Sequence, residues 1–337
     1  MKELKAIAIL SSLLVIQRQV LADEITRFHY SPLPTSIHQI TVNNGRTPPP
    51  TNGLPQIVIN NLISAGEVVR ILPLSRWSGN NWTHLNEFTS DEIFQKAISR
   101  IGGNAAYGNT MVQTSGSTMG LHLNTFGTNL PSNYPATSLQ YLVGWGAGKQ
   151  VWFPNEKLCV SGTAKIATSY GIGQAVNQAM YTMHFTSTSN QAIFFNVLLF
   201  DSRSPYHIMD SVIWDQQDTN TAIVISHAQS QYQNNPNIKY SSSIDEYGDY
   251  LIPFQSGDAP SINGHYGFCI NSSQFSRAIT DINQQFNTDY DTLPANWTLD
   301  VVLIGPEINT RPSVYQPKGN GHIGMSVGSM YVYNKLE

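Results

Sequence analysis

The sequence predicts an all-β protein, a jelly-roll β-sandwich of the concanavalin-like and family-12-glycosidase-like type, with one or two short helices. Three observations lead there. Short runs rich in Val, Ile, Tyr, Phe and Thr recur from residue 56 to the end of the chain. Gly, Pro, Asn, Asp and Ser cluster between those runs, as turn chemistry requires. Helical periodicity is confined to two segments, 89–103 and 272–286.

Taken in order, residues 1–22 read as a cleaved secretory signal. "MKELK" carries a small positive excess, "AIAILSSLLVI" (6–16) is an apolar run too short to span a bilayer but suited to a signal core, with an N-terminal helix as the alternative, and "VLA" (20–22) offers small residues before Asp23. Residues 23–55 are rich in Pro, Asn and Thr and read as an extended arm or linker. The β-sandwich domain is expected over 56–337. Its strand runs are 56–59, 67–72, 139–145, 150–153, 157–168, 179–187, 192–200, 210–214, 221–226, 250–254, 266–270, 297–305 and 324–334. "AMYTMHFTS" (179–187) alternates, which suggests one packed face and one open face.

The helix over 89–103 starts at Thr89 with Glu92 three residues on, a capping-box pattern, and stops at Gly102. The helix over 272–286 places Phe275, Ile279, Ile282 and Phe286 on one stripe.

Composition narrows the function. Apolar residues make up 41% and charged residues 12%, about half the usual charged share, so the polar surface must come from Asn, Gln, Ser and Thr. Such a surface suits an extracellular protein and uncharged ligands such as polysaccharides. The formal net charge is −4 with no basic run, which excludes the electrostatic footprint of a nucleic-acid binder. After the N-terminal run no segment is long and apolar enough to span a membrane. The histidines show no metal-ligand spacing and no nucleotide-binding fingerprint follows a strand, so neither metal nor cofactor is expected. Cys159 and Cys269 are either a disulfide or two buried thiols.

Carboxylates remain as candidate chemistry. On "DSVIW" the strand period puts Asp210, Val212 and Trp214 on one face, where an indole stacks on a sugar ring while an acid reaches the glycosidic bond. Glu307 follows the apolar run "LDVVLIGP" at a strand exit. Two such acids about 5–5.5 Å apart hydrolyse with retention, and about 6.5–9.5 Å apart with inversion. Trp145, Trp152 and Asn196 are further candidate sugar contacts. Each also has a plain structural reading: a solvated strand-end acid, a turn carboxylate, half-buried rings, a satisfied core amide.

"DSVIW" resembles the E-x-M-I-W strand of family-12 glycoside hydrolases, which carries their nucleophile; Asp210 falls on that position. "IGPEINTRP" (304–312) resembles the family's A-G-T-E-P-F segment, with Glu307 on its acid/base. "SQFSRAITDINQQF" is similar to the family's single helix. "FFNVLLF" (194–200) is similar to the strand bearing a supporting aspartate, with Asn196 at or near that place. The resemblance spans about 195–335 and implies a long glycan cleft with endo-acting, retaining hydrolysis of β-glucan. Asp stands for Glu at the nucleophile position. Aligning "YHIM" (206–209) with the family's Y-E-x-M instead puts His207 there and implies an inactive site. Three functions follow as expectations: a secreted glycosidase using Asp210 and Glu307, a non-catalytic glycan-binding protein on the same fold, or an extracellular assembly protein whose arm laces subunits together.

Overall fold

The computed structural model describes residues 25–30, 39–43, 56–60, 70–73, 111–115, 118–125, 136–203, 210–214, 221–229, 246–253, 266–309 and 319–337. The leader expected over 1–22, the helix expected over 89–103, and His207 lie outside the described residues.

The chain forms the expected all-β sandwich of jelly-roll type. Strands β1 (Ile25–Tyr30), β2 (Gln39–Asn43), β3 (Gln56–Asn60) and β4 (Arg70–Pro73) come first. Next are β5 (Met111–Ser115), β6 (Thr118–Asn124), β7 (Ala136–Gln150), β8 (Glu156–Ile172), β9 (Val176–Ser187) and β10 (Ala192–Asp201). Then follow β11 (Ser211–Trp214), β12 (Thr221–Gln229), β13 (Glu246–Tyr247), β14 (Ile252–Pro253) and β15 (Tyr266–Ile270). Helix α1 (Ser272–Phe286), β16 (Trp297–Asn309) and β17 (Asn320–Leu336) complete the order.

The eight-stranded sheet runs β14-β15-β8-β17-β6-β5-β4, with β1 also on β17. The nine-stranded sheet runs β11-β12-β10-β9-β16-β7-β3-β2, with β13 on β12. One core joins them. Leu121, Val160, Ile323 and Val332 from the smaller sheet meet Leu139, Tyr181, Phe195 and Ile304 from the larger, each at most 1% exposed. Alternation decides which side chains enter. On β9, Ala179, Tyr181, Met183 and Phe185 point inward. Gln178, Met180, Thr182, His184 and Thr186 therefore project from the outer face of the nine-stranded sheet.

Helix α1 is capped by Asn271, whose Oδ1 accepts the Ser273 and Gln274 N–H groups, and ends at Asn287 in the left-handed region, φ 54°. Its stripe of Phe275, Ala278, Ile279 and Ile282 is buried in the same core. Phe275 stacks on Trp152 with centroids 4.4 Å apart and meets Trp297 edge-on at 5.8 Å.

Several elements differ from expectation. "QVWF" (150–153) forms no strand of its own. The Gln150 Oε1 accepts the N–H groups of Val151 and Trp152, so a side-chain amide replaces the ladder and turns the chain into the core. Of the described residues of 250–254, two pair, as β14. In 23–55, β1 pairs antiparallel with β17 and β2 runs parallel to β3. Cys159 and Cys269 face each other across β8 and β15 and are disulfide-bonded at a separation of 110 residues. On the chain-entropy model that closure is worth about 4–5 kcal/mol.

Candidate functional site

Asp210 lies at the edge of the nine-stranded sheet, where β11 and β13 meet end to end along β12. Its carboxylate accepts from Ser226 Oγ at 2.9 Å and the Tyr250 N–H at 3.0 Å, and lies 3.0 Å from His227 Nδ1. The side chain is 9% exposed. A Cβ at Gly248 would come within 2.0 Å of Asp210 Oδ1, so the turn closes directly on the carboxylate. Asp210 thus fastens three segments together. The shared face with Val212 and Trp214 is real, but it is the inner face. Val212 is in the core, and Trp214 packs against Phe286 of α1 at 5.5 Å and Tyr290 at 6.0 Å.

Glu307 sits inside β16 rather than at its exit. Ile304 and Ile308 point into the core, so Glu307 projects outward, half-buried. Between the strands of Asp210 and Glu307 lie β12, β10 and β9. Four inter-strand steps put these strands about 19 Å apart. The structure does not bring the two acids together, because strand order along the chain is not strand order in the sheet.

The residues beside Glu307 are instead Gln178 of β9 and Ser138 of β7, its direct register partners. Gln178 is in turn opposite Asp201 of β10 and donates from Nε2 to Asp201 Oδ2 at 2.6 Å. Asp201 is fully buried and clamped by Arg203, through the backbone N–H at 2.8 Å, Nε at 2.9 Å and Nη2 at 2.6 Å. A row Ser138–Glu307–Gln178–Asp201 therefore crosses the outer face.

Further along that face, Gln140 Nε2 donates to Thr182 Oγ1 at 3.4 Å. Asn196, opposite Thr182 on β10, is half-buried, and its shielded Oδ1 has no hydrogen-bond partner among the described residues. His184 Nδ1 lies 3.1 Å from Asp300 Oδ2, which also accepts from Thr186 Oγ1. This fixes the imidazole so that Nε2 points away from the carboxylate. The ring sits 4.7 Å from Phe194. Between Gln178 and Thr182, both buried, lies Met180 packed on Leu198, so the partly exposed polar side chains of this face gather at the end that carries His184, Thr186, Asn196 and Asp300.

Of the expected sugar contacts, Asn196 shares the outer face with Glu307. Trp152 is core, 5% exposed, between Phe275 and Phe185, and cannot stack on a ligand. Trp145 stands opposite Val301 in β7; its side chain is outside the described part. Sequence reasoning missed Gln178, Asp201, His184 and Asp300. The alternation of 179–187 was signal enough to put Thr182 and His184 on the outer face, where Thr182 is buried and His184 partly exposed. Nothing in the sequence placed Gln178 beside Glu307. Among the described residues no three His, Cys, Asp or Glu side chains gather for a metal, and no helix is long and apolar enough to cross a membrane.

No protein-family model matches the chain, and no curated protein matches it. Among solved structures it is similar to the family 11 xylanase from Neocallimastix patriciarum, at 7% identity and a TM-score of 0.30, covering 68% of this chain and 88% of that one. An endo-1,4-β-xylanase structure from Trichoderma reesei gives 9% identity and a TM-score of 0.25, covering 66% and 94%. The family 12 xyloglucanase from Bacillus licheniformis gives 9% and 0.26, covering 68% and 97%. Family 11 and family 12 structures stand together here, so the likeness does not single out family 12. At these values it assigns no activity or substrate.

Proposed function

We propose that this protein is an exported, glycan-binding β-sandwich that holds an uncharged polysaccharide along the outer face of its nine-stranded sheet without cleaving it. The carrying observation is the residue opposite Glu307. A glycosidase of this kind needs a second carboxylate facing the first, and the two positions directly opposite Glu307 on the neighbouring strands hold Ser138 and the amide of Gln178. The expected nucleophile, Asp210, is committed to Ser226, His227 and Tyr250 on a distant edge. Asp201 stands near the separation an inverting base requires, but it is fully buried under Arg203 and holds no water-accessible oxygen. The amides, hydroxyls and imidazole of the face supply donors and acceptors for hydroxyl groups, and Phe194 supplies an apolar ring face. The apolar run at 6–16 supports export.

The test is calorimetric titration and affinity electrophoresis against a panel of soluble polysaccharides, with reducing ends assayed in parallel. At least one polysaccharide should bind, His184→Ala or Asn196→Ala should weaken binding roughly tenfold, and no new reducing ends should form. Release of reducing ends by the intact protein, or retention by no polysaccharide, sinks the proposal.

A further inference from the structure

We infer that β1 is a strap laid over the Cys159–Cys269 disulfide, seated at neutral pH and released on acidification through His29, so that acid opens the disulfide to a reductant. The inference is independent of the glycan-binding reading.

The backbone holds β1 weakly. It pairs with β17 alone, and its register breaks twice in six residues, between Ile25 and Arg27 and between Phe28 and Tyr30. Thr26, Arg27 and Phe28 are exposed. Side chains do the rest. Arg27 reaches Glu156 at 3.3 Å and lies 3.6 Å over the Phe153 ring. Half-exposed, that ion pair contributes little. Lys149 Nζ donates to the His29 carbonyl at 2.9 Å and stands 4.2 Å from the Tyr30 ring, which rests on Gly144. Such a segment opens locally at far lower cost than the core.

The strap covers something reactive. Ile25 packs against the cluster of Cys159, Cys269 and Tyr333, all three fully buried. The Phe28 ring lies 5.9 Å from Tyr333 and 6.4 Å from Tyr331.

His29 sits where a charge is unwelcome. Asn334 is fully buried, and its Nδ2 donates to the Val151 carbonyl at 2.9 Å. Its Oδ1 therefore faces His29 and accepts from Nε2. The neutral imidazole thus carries its proton on Nε2, and a second proton has to enter at Nδ1. The charged groups around the ring are Lys149 of β7 and Arg27 of β1, both cations, and Glu156 of β8, which Arg27 already engages. β17 faces it with the neutral Asn334. Burial first, then the two cations, hold the imidazole below its usual 6.5 against the Asn334 hydrogen bond. A free strap takes up this proton as the pH falls through 6.5, and the seated strap does so only at lower pH. Seating is therefore strongest above pH 6.5. Below it, seating weakens by up to about tenfold per pH unit until the seated ring titrates as well.

The experiment uses the full chain at pH 7.5 and 5.5. Hydrogen exchange of residues 25–30, corrected for the intrinsic pH dependence, reads the strap, with the amides of β9 as internal reference. Reduction by tris(carboxyethyl)phosphine reads the disulfide, each rate divided by that of a small disulfide at the same pH. In that reaction the S–S bond takes two electrons and two protons and gives two thiols, while the phosphine gains the oxygen of water. In the wild type, strap protection should fall several-fold, at most about tenfold, and reduction should speed up by the same factor. His29→Gln keeps a donor for Asn334 without the charge, so both changes should vanish although His122 and the carboxylates remain. Gly144→Ala, with the strap unseated, should be reduced fast at both pH values. Equal wild-type protection at the two pH values, or an undiminished fall in His29→Gln, overturns the inference. Release of the strap without faster reduction overturns its shielding of the disulfide. Should His29→Gln not fold, the wild type decides alone: a loss confined to residues 25–30 supports the strap, and a loss shared with β9 overturns it.

Discussion

Burial holds the His122 imidazole at about 4 instead of 6.5, with His322 nearby adding to the effect. The ring stands on β6 opposite Gly324 of β17 and Met111 of β5, 5% exposed. An unfolded chain takes up this proton as the pH falls through 6.5, whereas the folded chain refuses it until about 4. Stability from this group is therefore fully present above pH 6.5 and is lost between pH 6.5 and 4. The difference in pKa corresponds to about 3 kcal/mol. For His122→Gln, which stays neutral throughout, that part of the acid sensitivity should vanish. Urea midpoints of both proteins at pH 7, 5.5 and 4 measure it. Carboxylates contribute equally to both curves, so the wild type should lose about 3 kcal/mol more than the variant. Parallel pH curves, or a wild type that gains stability on acidification, would refute the reasoning.

Asp210→Asn should lower stability by about 2–3 kcal/mol, because an NH2 group replaces an acceptor among three hydrogen-bonding partners. Polysaccharide affinity should not change, and a loss of affinity at unchanged urea midpoint would return Asp210 to the site. Gly144→Ala should unseat β1, since a Cβ there comes 2.3 Å from the Tyr30 ring. A cost of about 1–3 kcal/mol is expected, with faster proteolytic trimming before residue 31. An unchanged melting temperature and trimming rate would disprove that contact.

The fold was legible because its signals are local. Alternation in 179–187 and the apolar stripe of 272–286 depend on neighbours within a strand or a helix. The N-terminal strands were hidden by composition. β2 lies in a Pro- and Asn-rich stretch and is held by a parallel partner rather than by its own pattern. The placement of the candidate residues was legible only in part. Glu307 and Asn196 do face outward together, but a period of two does not say which face is the inner one, so Asp210 and Trp214 were read onto the wrong side. The partner of Glu307 was invisible for a further reason. β9 and β16 are separated by more than a hundred residues in the chain, and one glutamine in an amide-rich sequence carries no mark of its position.

The placement of β17 has a consequence for how the molecule is made. This strand sits in the middle of its sheet, with β8 on one side and β6 and β1 on the other, and Ile25 of β1 registers with Lys335 of β17. During synthesis the smaller sheet stays split until β17 emerges, and β8, β6 and β1 wait with open edges. Closure then requires contacts spanning nearly the whole chain, such as Thr26 Oγ1 to the Asn334 carbonyl across 308 positions. Folding should thus be slow and all at once, and a chain lacking β17 should be a substrate for chaperones and proteases rather than a partly built sandwich.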